Sequence, residues 1–283
     1  MRFFGIAPKS FGQLGVYEKQ VCARSTDNVV IKAGFLRPYC VAYLDQLVRQ
    51  YRNHTPLTLA SSYSAVNRYL QQSGFEFMPP VCELGDPFPE EKIVPIQRFS
   101  GGLDAVESEV VGWLDTVVKP LLPAHTTQLW KKINANYWEI IQNGIVHGNC
   151  VHGVSTCGQV YPEKGYMELA FHDIGYGIPG RVKDYFNNAD EIRDDHKCIA
   201  WAVEMGNSTR PAGESAGLGL HFLREFLRLN KGVFQVISGN GYFGECEGNP
   251  AETTTLKNSV RGTLVNIRII LDDCLYKLKD EKI

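Results

Sequence analysis

A carboxylate, an amide and an imidazole recur at every fourth residue of the segment WEIIQNGIVHG, as Glu139, Asn143 and His147. The chain from Thr126 to His147 predicts one helix, because apolar residues recur along it with helical spacing. This apolar stripe, offset from the polar triplet by two residues or about 200°, consists of Leu129, Ile133, Tyr137, Ile141 and Ile145. The three polar side chains therefore share the face opposite to the predicted core stripe. A solvated helix face is the alternative interpretation for the triplet on its own.

A second group, Asp173, Gly175 and Gly177, follows an alternating run from Tyr166 to His172 that predicts a buried strand. A buried aspartate at the end of this strand can accept a hydrogen bond from the exocyclic amine of adenine, which guanine lacks at the same place. The two glycines let the backbone pass close to a flat ligand. By itself the pattern is also typical of an ordinary turn after a strand.

The third group, Gly217, Leu218 and Gly219, comes directly before a helical run from Leu220 to Leu229. A helix that opens on glycines offers free backbone N–H groups and the positive end of its dipole to phosphate oxygens. An ordinary junction between a loop and a helix is the alternative. Together, the three groups predict a nucleotide site.

The order and spacing of these groups, with Thr263 following in the strand-like run RGTLVNIRI, resemble the adenine-nucleotide pocket of the GHKL ATPases. The sequence contains neither a Walker loop nor a Rossmann fingerprint. The resemblance covers roughly residues 93 to 271, and WEIIQNGIVHGN is most similar to the anti-sigma-factor serine kinases. It implies ATP and magnesium as ligands. It also implies the Bergerat fold, an α/β two-layer sandwich in which helices cover a mixed sheet.

Carried over residue by residue, the resemblance implies a role for each group. Glu139 becomes the general base that polarises water or a hydroxyl, Asn143 the magnesium ligand and Asp173 the adenine partner. Thr263 supports Asp173 through its hydroxyl. The glycines divide into two sets: Gly175 and Gly177 shape the adenine loop, and Gly217 and Gly219, with Leu218 between them, hold the phosphates.

The polar stretch from Gly180 to Ala216 occupies the place of the family's ATP lid. We expect a helix from Glu191 to Met205 in it, followed by Ser208, Thr209 and Arg210. Two hydroxyls and a guanidinium suit a γ-phosphate in a mobile loop. A polar surface loop is the alternative.

The first ninety residues predict a different unit, a small α/β module with a parallel strand pair. The pattern is a strand, a helix, a strand and a helix, over Asn28 to Phe35, Pro38 to Arg52, Leu57 to Ala60 and Tyr63 to Gln72. It resembles a STAS domain, the fold of the anti-anti-sigma partners of those kinases. That family's phosphoacceptor serine lies near the start of the first helix, where this chain has Leu36, Arg37 and Pro38. We therefore predict no phosphorylation switch at that position.

Prolines cluster between the two predicted units, at Pro79, Pro80, Pro87 and Pro89. Proline-rich segments between periodic blocks are typical of linkers. We therefore expect a STAS-like module over residues 1–90 and a GHKL domain over residues 91–283, which begins with a strand at Val94 and Ile96.

The helix predicted from Gly102 to Val118 carries an apolar stripe that is most simply interpreted as part of the hydrophobic core. A histidine kinase is disfavoured, because His125 lacks the acidic neighbour and the heptads expected of a phosphoacceptor.

The composition indicates an ordinary globular protein. The formal charge of −2 and the pI near 6.4 give no reason to expect nucleic acid. Neither a membrane span nor a signal peptide is predicted, so we expect a cytoplasmic protein. The eight cysteines lack a CxxC pair, which is typical of reduced thiols. Zinc at His147, Cys150, His152 and Cys157 is an alternative, but the segment Asn149 to Val160 is better interpreted as a strand.

These features predict an ATP-binding regulatory protein that hydrolyses ATP slowly or phosphorylates a protein serine or threonine. The alternative is a non-catalytic switch, in which ATP orders the lid and changes the affinity for a protein partner. In either case we expect a protein partner to bind through the N-terminal module, and we expect no association with a membrane. The sequence leaves open whether the chain forms a homodimer.

Overall fold

The computed structural model describes residues 8–22, 27–52, 57–89, 92–146, 152–187, 194–209, 219–246, 249–278 and 281. A five-stranded sheet lies at the centre, in the order β3 (Ile93–Phe99), β4 (Val154–Tyr161), β5 (Tyr166–Asp173), β7 (Glu252–Ile270) and β6 (Val233–Cys246). Every neighbouring pair in it is antiparallel, so the expectation of a mixed sheet is wrong for the described strands. No described helix has both the length and the apolar character that crossing a bilayer requires.

The side chains of β5 alternate between the two faces of this sheet. Met167, Leu169 and Phe171 belong to one apolar cluster, whereas Ala170 belongs to another. Asp173 lies at the end of the strand and pairs with Thr263 of β7. The predicted strand from Tyr166 is therefore confirmed, with Asp173 as its last residue.

The first face of the sheet packs against α4 (Leu103–Trp113), α5 (Thr127–Val146) and α8 (Gly219–Leu229). The Thr126 hydroxyl caps α5 by accepting a hydrogen bond from the backbone N–H of Leu129 at 3.3 Å. The predicted apolar stripe of α5 is buried from Leu129 to Ile141, and Ile145 is partly buried. The helix predicted over residues 102–118 continues past α4 as a π-helical turn, Leu114–Val118.

The second face of the sheet packs against two N-terminal helices, α1 (Pro8–Cys22) and α2 (Pro38–Arg52). The bounds of α2 are those predicted, and its four expected inward residues, Val41, Leu44, Leu47 and Val48, are completely buried. The two-layer sandwich expected from the sequence thus gains a third layer, because helices cover both faces of the sheet. One apolar cluster contains α1 and α2 together with Cys157, Ala170, Ile237 and Leu264 of the sheet.

A parallel pair, β1 (Asn28–Ile31) and β2 (Thr58–Ser61), lies in the N-terminal region with α3 (Ser64–Gln72). The predicted strand-helix-strand-helix pattern is confirmed, although β1 is shorter than expected. The likeness to a STAS domain stays a prediction.

The proline-rich segment at residues 79–89 is hydrogen-bonded to α3. Arg68 Nε donates to the Gly85 carbonyl at 2.8 Å, and Gln72 and Phe88 exchange two hydrogen bonds of 2.8 Å each. The division into residues 1–90 and 91–283 stays a prediction. Residues from both sides of that boundary share an apolar core.

Candidate functional site

One cavity brings together described residues of the first two groups, of the expected lid and of the last strand, whereas Gly219 of the third group is not among its lining residues. It has a volume of about 150 Å³ and lies between α5, the end of β5 and the residues around α7 (Asp195–Ala202). A cavity of about this size can hold a small aromatic molecule. The predicted residues that line it are Glu139, Asn143, Asp173, Gly177, Ser208, Thr209 and Thr263.

Three predicted residues lie outside the described parts of the chain, namely Arg210, Gly217 and Leu218. Gly219 is the first residue of α8, so the prediction that a helix begins there is confirmed. Gly175 lies next to the cavity, where its backbone N–H donates to Asp173 Oδ1 at 2.9 Å.

Burial dominates the electrostatics of Asp173, whose surface is only 6% exposed. It raises the pKa of the carboxyl to about 7, against the opposing effect of backbone hydrogen bonds from Gly175 and Thr263. A carboxyl with this pKa titrates near neutral pH. Such a raised pKa is typical of functional sites as well as of buried groups.

Two glycines allow close approaches around Asp173. A Cβ atom at Gly144 of α5 would lie 2.5 Å from Val154 Cγ2 and 3.4 Å from Asp173 Oδ2. Gly177 has a φ of 77°, and a Cβ atom there would lie 2.8 Å from Ser238 Oγ. Sequence reasoning singled out Gly177 but missed Gly144, although it directly follows Asn143.

Ser238 of β6 connects the strands to the loop after Asp173. Its hydroxyl donates to the Gly262 carbonyl at 2.6 Å and accepts from the Ile178 backbone N–H at 3.0 Å. The Thr263 hydroxyl oxygen lies 3.2 Å from Ser238 Oγ. A backbone hydrogen bond from Thr263 acts on the Asp173 carboxyl, and support through the Thr263 hydroxyl stays a prediction.

Apolar side chains form much of the cavity wall, and sequence reasoning did not identify them. They come from four strands and two helices: Ile140, Val154, Phe171, Val182, Val236 and Val265. The alternation of β5 places Phe171 on the same face as Asp173, so the strand period alone could have indicated it. These walls suit a flat, largely apolar ring, while Asp173 supplies a polar anchor.

The segment expected to be a lid begins with a helix that was not predicted, α6 (Gly177–Tyr185). The helix expected over residues 191–205 is described only as α7, residues 195–202. After it, Asn207 Nδ2 donates to the Trp201 carbonyl at 2.9 Å, and Gly206 takes a φ of 88°. Among the cavity residues of this segment that sequence reasoning missed are Arg181, Trp201, Glu204 and Asn207.

Lys183 and Asp195 join α6 to α7 beside the cavity. Lys183 Nζ lies 2.6 Å from Asp195 Oδ1, and the Asn240 backbone N–H donates to Asp195 Oδ2 at 2.9 Å. The start of α7 is therefore attached to both α6 and β6.

Two metal predictions concern this part of the chain, magnesium at Asn143 and zinc near the cysteines, and both stay predictions. Asn143 offers an amide oxygen, the kind of ligand that Mg²⁺ prefers. Within the described residues, no three His, Cys, Asp or Glu side chains cluster as a metal site. Of the four residues considered for zinc, His147 and Cys150 lie outside the described parts, and Cys157 Sγ contacts the Pro38 carbonyl of α2 at 3.1 Å.

Comparisons of the whole chain with protein-family models and with curated proteins found no match.

Proposed function

We propose that the cavity binds ATP with magnesium and that the chain is an ATP-binding regulatory protein of the GHKL type. One observation carries the proposal. Asp173, a buried carboxyl at the end of a strand, lines the same cavity as Glu139 and Asn143, which lie one turn apart on α5. A solvated helix face, the alternative for the α5 residues, does not explain why they border this cavity, where both are half-buried.

Adenine is the base that this cavity favours. The Asp173 carboxyl can accept a hydrogen bond from the exocyclic amine, and Gly175 N–H keeps one carboxyl oxygen in position. Apolar residues such as Phe171 and Val265 pack against the faces of the ring. Guanine carries a carbonyl where adenine carries the amine, so its oxygen would be repelled by the ionised form of Asp173 that accepts from the adenine amine.

The phosphates extend towards α5 and the segment after α7. Asn143 holds magnesium through its amide oxygen, and Ser208 and Thr209 donate hydroxyl hydrogen bonds to the γ-phosphate. The bound ion supplies positive charge that neutralises the phosphate oxygens and stabilises charge as it develops in the reaction.

Glu139 acts as the general base of the proposed reaction. Its carboxylate takes the proton from a water or from a serine or threonine hydroxyl as that oxygen attacks the γ-phosphorus. The bond between this phosphorus and the β–γ bridging oxygen breaks, and ADP leaves with the electron pair. The products are ADP with either inorganic phosphate or a phosphorylated protein.

A non-catalytic switch is the second candidate, and one contact favours it. The ring of His172, the neighbour of Asp173, lies 4.8 Å from the ring of Tyr43 in α2, measured between centroids. Nucleotide binding at Asp173 can therefore change the packing of the N-terminal helices without turnover of ATP.

The deciding experiment uses the purified full chain with magnesium and ATP labelled at the γ-phosphate. Free phosphate and labelled protein are followed together, and binding is measured separately by calorimetry. Binding with release or transfer of label supports the enzyme, whereas binding alone supports the switch. Failure to bind ATP, with the Asp173→Asn variant indistinguishable from wild type, would remove both.

A further inference from the structure

Arg224 joins three elements around the proposed nucleotide site. It lies on α8, five residues after Gly219, and its Nε and one terminal nitrogen each contact a different Glu245 carboxylate oxygen of β6 at 2.6 Å. Its other terminal nitrogen donates to the backbone carbonyl of Val203, which caps the C-terminal end of α7. The guanidinium thus makes a bidentate fork with the Glu245 carboxylate of β6 and also binds the carbonyl at the C-terminal end of α7.

This contact is buried and charged. The side chains of Arg224 and Glu245 are only 12% and 11% exposed. Burial alone would raise the pKa of Glu245, but hydrogen bonds from Arg224 and Arg228 lower it overall, so the carboxylate is ionised at neutral pH. A bidentate pair in such surroundings holds its geometry better than an exposed ion pair does. A cation at the C-terminal end of α7 is also favoured by the helix dipole.

The carbonyl that Arg224 holds belongs to the wall of the cavity. Val203 is buried and lines the cavity, as do its neighbours Ala202 and Glu204. Ser208 and Thr209, which line the same cavity, follow Val203 by five and six residues. The position of this wall and of the two hydroxyls therefore depends on the contact with α8.

The residue before Arg224 connects α8 to the opposite wall. Asn136 of α5 accepts a hydrogen bond from the Leu223 backbone N–H at 2.7 Å and donates to the Lys132 carbonyl at 2.7 Å. Asn136 is buried and lies one turn before Ile140, a cavity residue. Two consecutive residues of α8 thus hold α5 on one side and α7 on the other.

We propose that Arg224 is a positioning residue that makes the site sensitive to the γ-phosphate. By holding Val203, it keeps Ser208 and Thr209 at the distance from α5 that a third phosphate requires. The inference rests on the proposed function, since it concerns the same cavity. It adds a residue outside the three sequence groups and a role, discrimination between nucleoside triphosphate and diphosphate.

Arg228 provides a matched control for Arg224. It lies one turn further along α8 and contacts the same Glu245 oxygen at 2.8 Å, but its side chain is 55% exposed. Arg228→Ala therefore removes a positive charge and an ion pair from the same carboxylate and leaves the contact with Val203 in place.

The test measures the dissociation constants of magnesium-ATP and magnesium-ADP by calorimetry, on the full chain and its variants. In Arg224→Ala, we expect ATP to bind about tenfold more weakly or worse while ADP changes little. The preference for ATP over ADP is then lost. Arg228→Ala should keep the wild-type preference. A purely structural role would weaken both nucleotides together and leave their ratio unchanged.

Two further variants keep the test decisive if Arg224→Ala does not fold. Arg224→Lys keeps the charge but cannot make the fork and the Val203 contact together, so it should lose most of the preference. Glu245→Gln weakens only the fork and should lose less. An unchanged ATP-to-ADP ratio in Arg224→Lys or in a folded Arg224→Ala overturns the inference and leaves the proposed function standing. Absence of ATP binding by the wild type overturns the proposed function itself.

Discussion

His172 and Asp173 are consecutive residues of β5, and their side chains serve opposite faces of the central sheet. Asp173 lines the cavity, whereas the His172 ring packs against Tyr43 of α2 and its Nε2 donates to the Arg261 carbonyl at 2.9 Å. Burial raises the pKa of Asp173 to about 7 and lowers the pKa of His172 to about 4. Both shifts favour the neutral form. A short piece of one strand therefore links the proposed adenine site to the N-terminal helices.

The first prediction concerns recognition of the base. Asp173→Asn should weaken ATP binding strongly, because the adenine amine selects the ionised, acceptor-only form of the Asp173 carboxyl, and an amide cannot supply that charge-assisted contact. GTP should compete poorly with ATP for the wild-type protein. Calorimetry and competition binding measure both quantities, with circular dichroism to show that the variant folds. Equal affinity for the two nucleotides would exclude the adenine contact.

Opposite pH dependences of stability are expected for the two neighbours. Because the His172 pKa is lower in the folded protein than its usual 6.5, its contribution is lost as pH falls from 6.5 to about 4. Because the Asp173 pKa is higher than its usual 3.8, its contribution is lost as pH rises from 3.8 to about 7. The full losses are about 3 and about 4 kcal/mol, respectively.

Urea unfolding at several pH values tests this, with His172→Gln and Asp173→Asn as the variants that cannot titrate. Relative to wild type, His172→Gln should gain stability as pH falls from 6.5 to 4, and Asp173→Asn should gain as pH rises from 4 to 7. Parallel curves for wild type and variant would show that neither burial has the stated effect.

The third prediction separates chemistry from binding. Glu139→Gln should bind ATP but release phosphate about 10²–10⁴-fold more slowly, since the amide cannot accept the proton. Asn143→Ala should lose the part of the ATP affinity that depends on magnesium. Phosphate release and calorimetry with and without magnesium distinguish these effects. Unchanged release in Glu139→Gln would remove that residue from the mechanism and favour the switch.

Periodicity allowed several elements to be predicted from the sequence, since each of them buries one regular face. The bounds of α2, the stripe of α5 and the alternation of β5 follow from residues close together in the chain. The helix α1 was missed because Gly12 and Gly15 disfavour a helix. The structure gives Gly15 a reason: a Cβ atom there would lie 2.3 Å from Asn258 Cβ of β7.

Contacts between distant parts of the chain could not be predicted in this way. Spacing along α8 does not indicate that Arg224 holds Val203, because the partner lies on another helix. Ser238 was missed for the same reason, since its hydrogen bonds reach Gly262 and Ile178. The glycine-bearing groups indicated a close approach of backbone at Gly177, whereas the cavity walls around it depend on tertiary packing.

The fourth prediction tests the close approach of α5 to β5. Gly144→Ala should push α5 away from Val154 and Asp173 and weaken ATP binding, because the added methyl overlaps Val154. Gly112→Ala in α4 is the matched control, since nothing lies within 4 Å of its added Cβ atom. The control should stabilise the protein by up to about 1 kcal/mol through helix propensity and leave ATP affinity unchanged. Similar behaviour of the two variants in thermal unfolding and calorimetry would contradict the packing described.

The last prediction concerns the boundary near residue 90. The sequence favours a fragment of residues 91–283 that folds and binds ATP alone. The shared core leads us to expect lower stability than in the full chain, because the fragment loses α1 and α2 from the second face of the sheet. It also leaves Glu168, a fully buried carboxylate, with Arg268 at 2.7 Å but without Arg37, whose guanidinium lies 2.8 Å away. Urea unfolding and size-exclusion chromatography of the fragment, alone and co-expressed with residues 1–90, measure the effect. Co-expression should restore a stable, soluble complex, because the two pieces bury the same apolar residues as the intact chain. A monomeric fragment as stable as the full chain would instead establish two independent units and limit the role of α2 to docking.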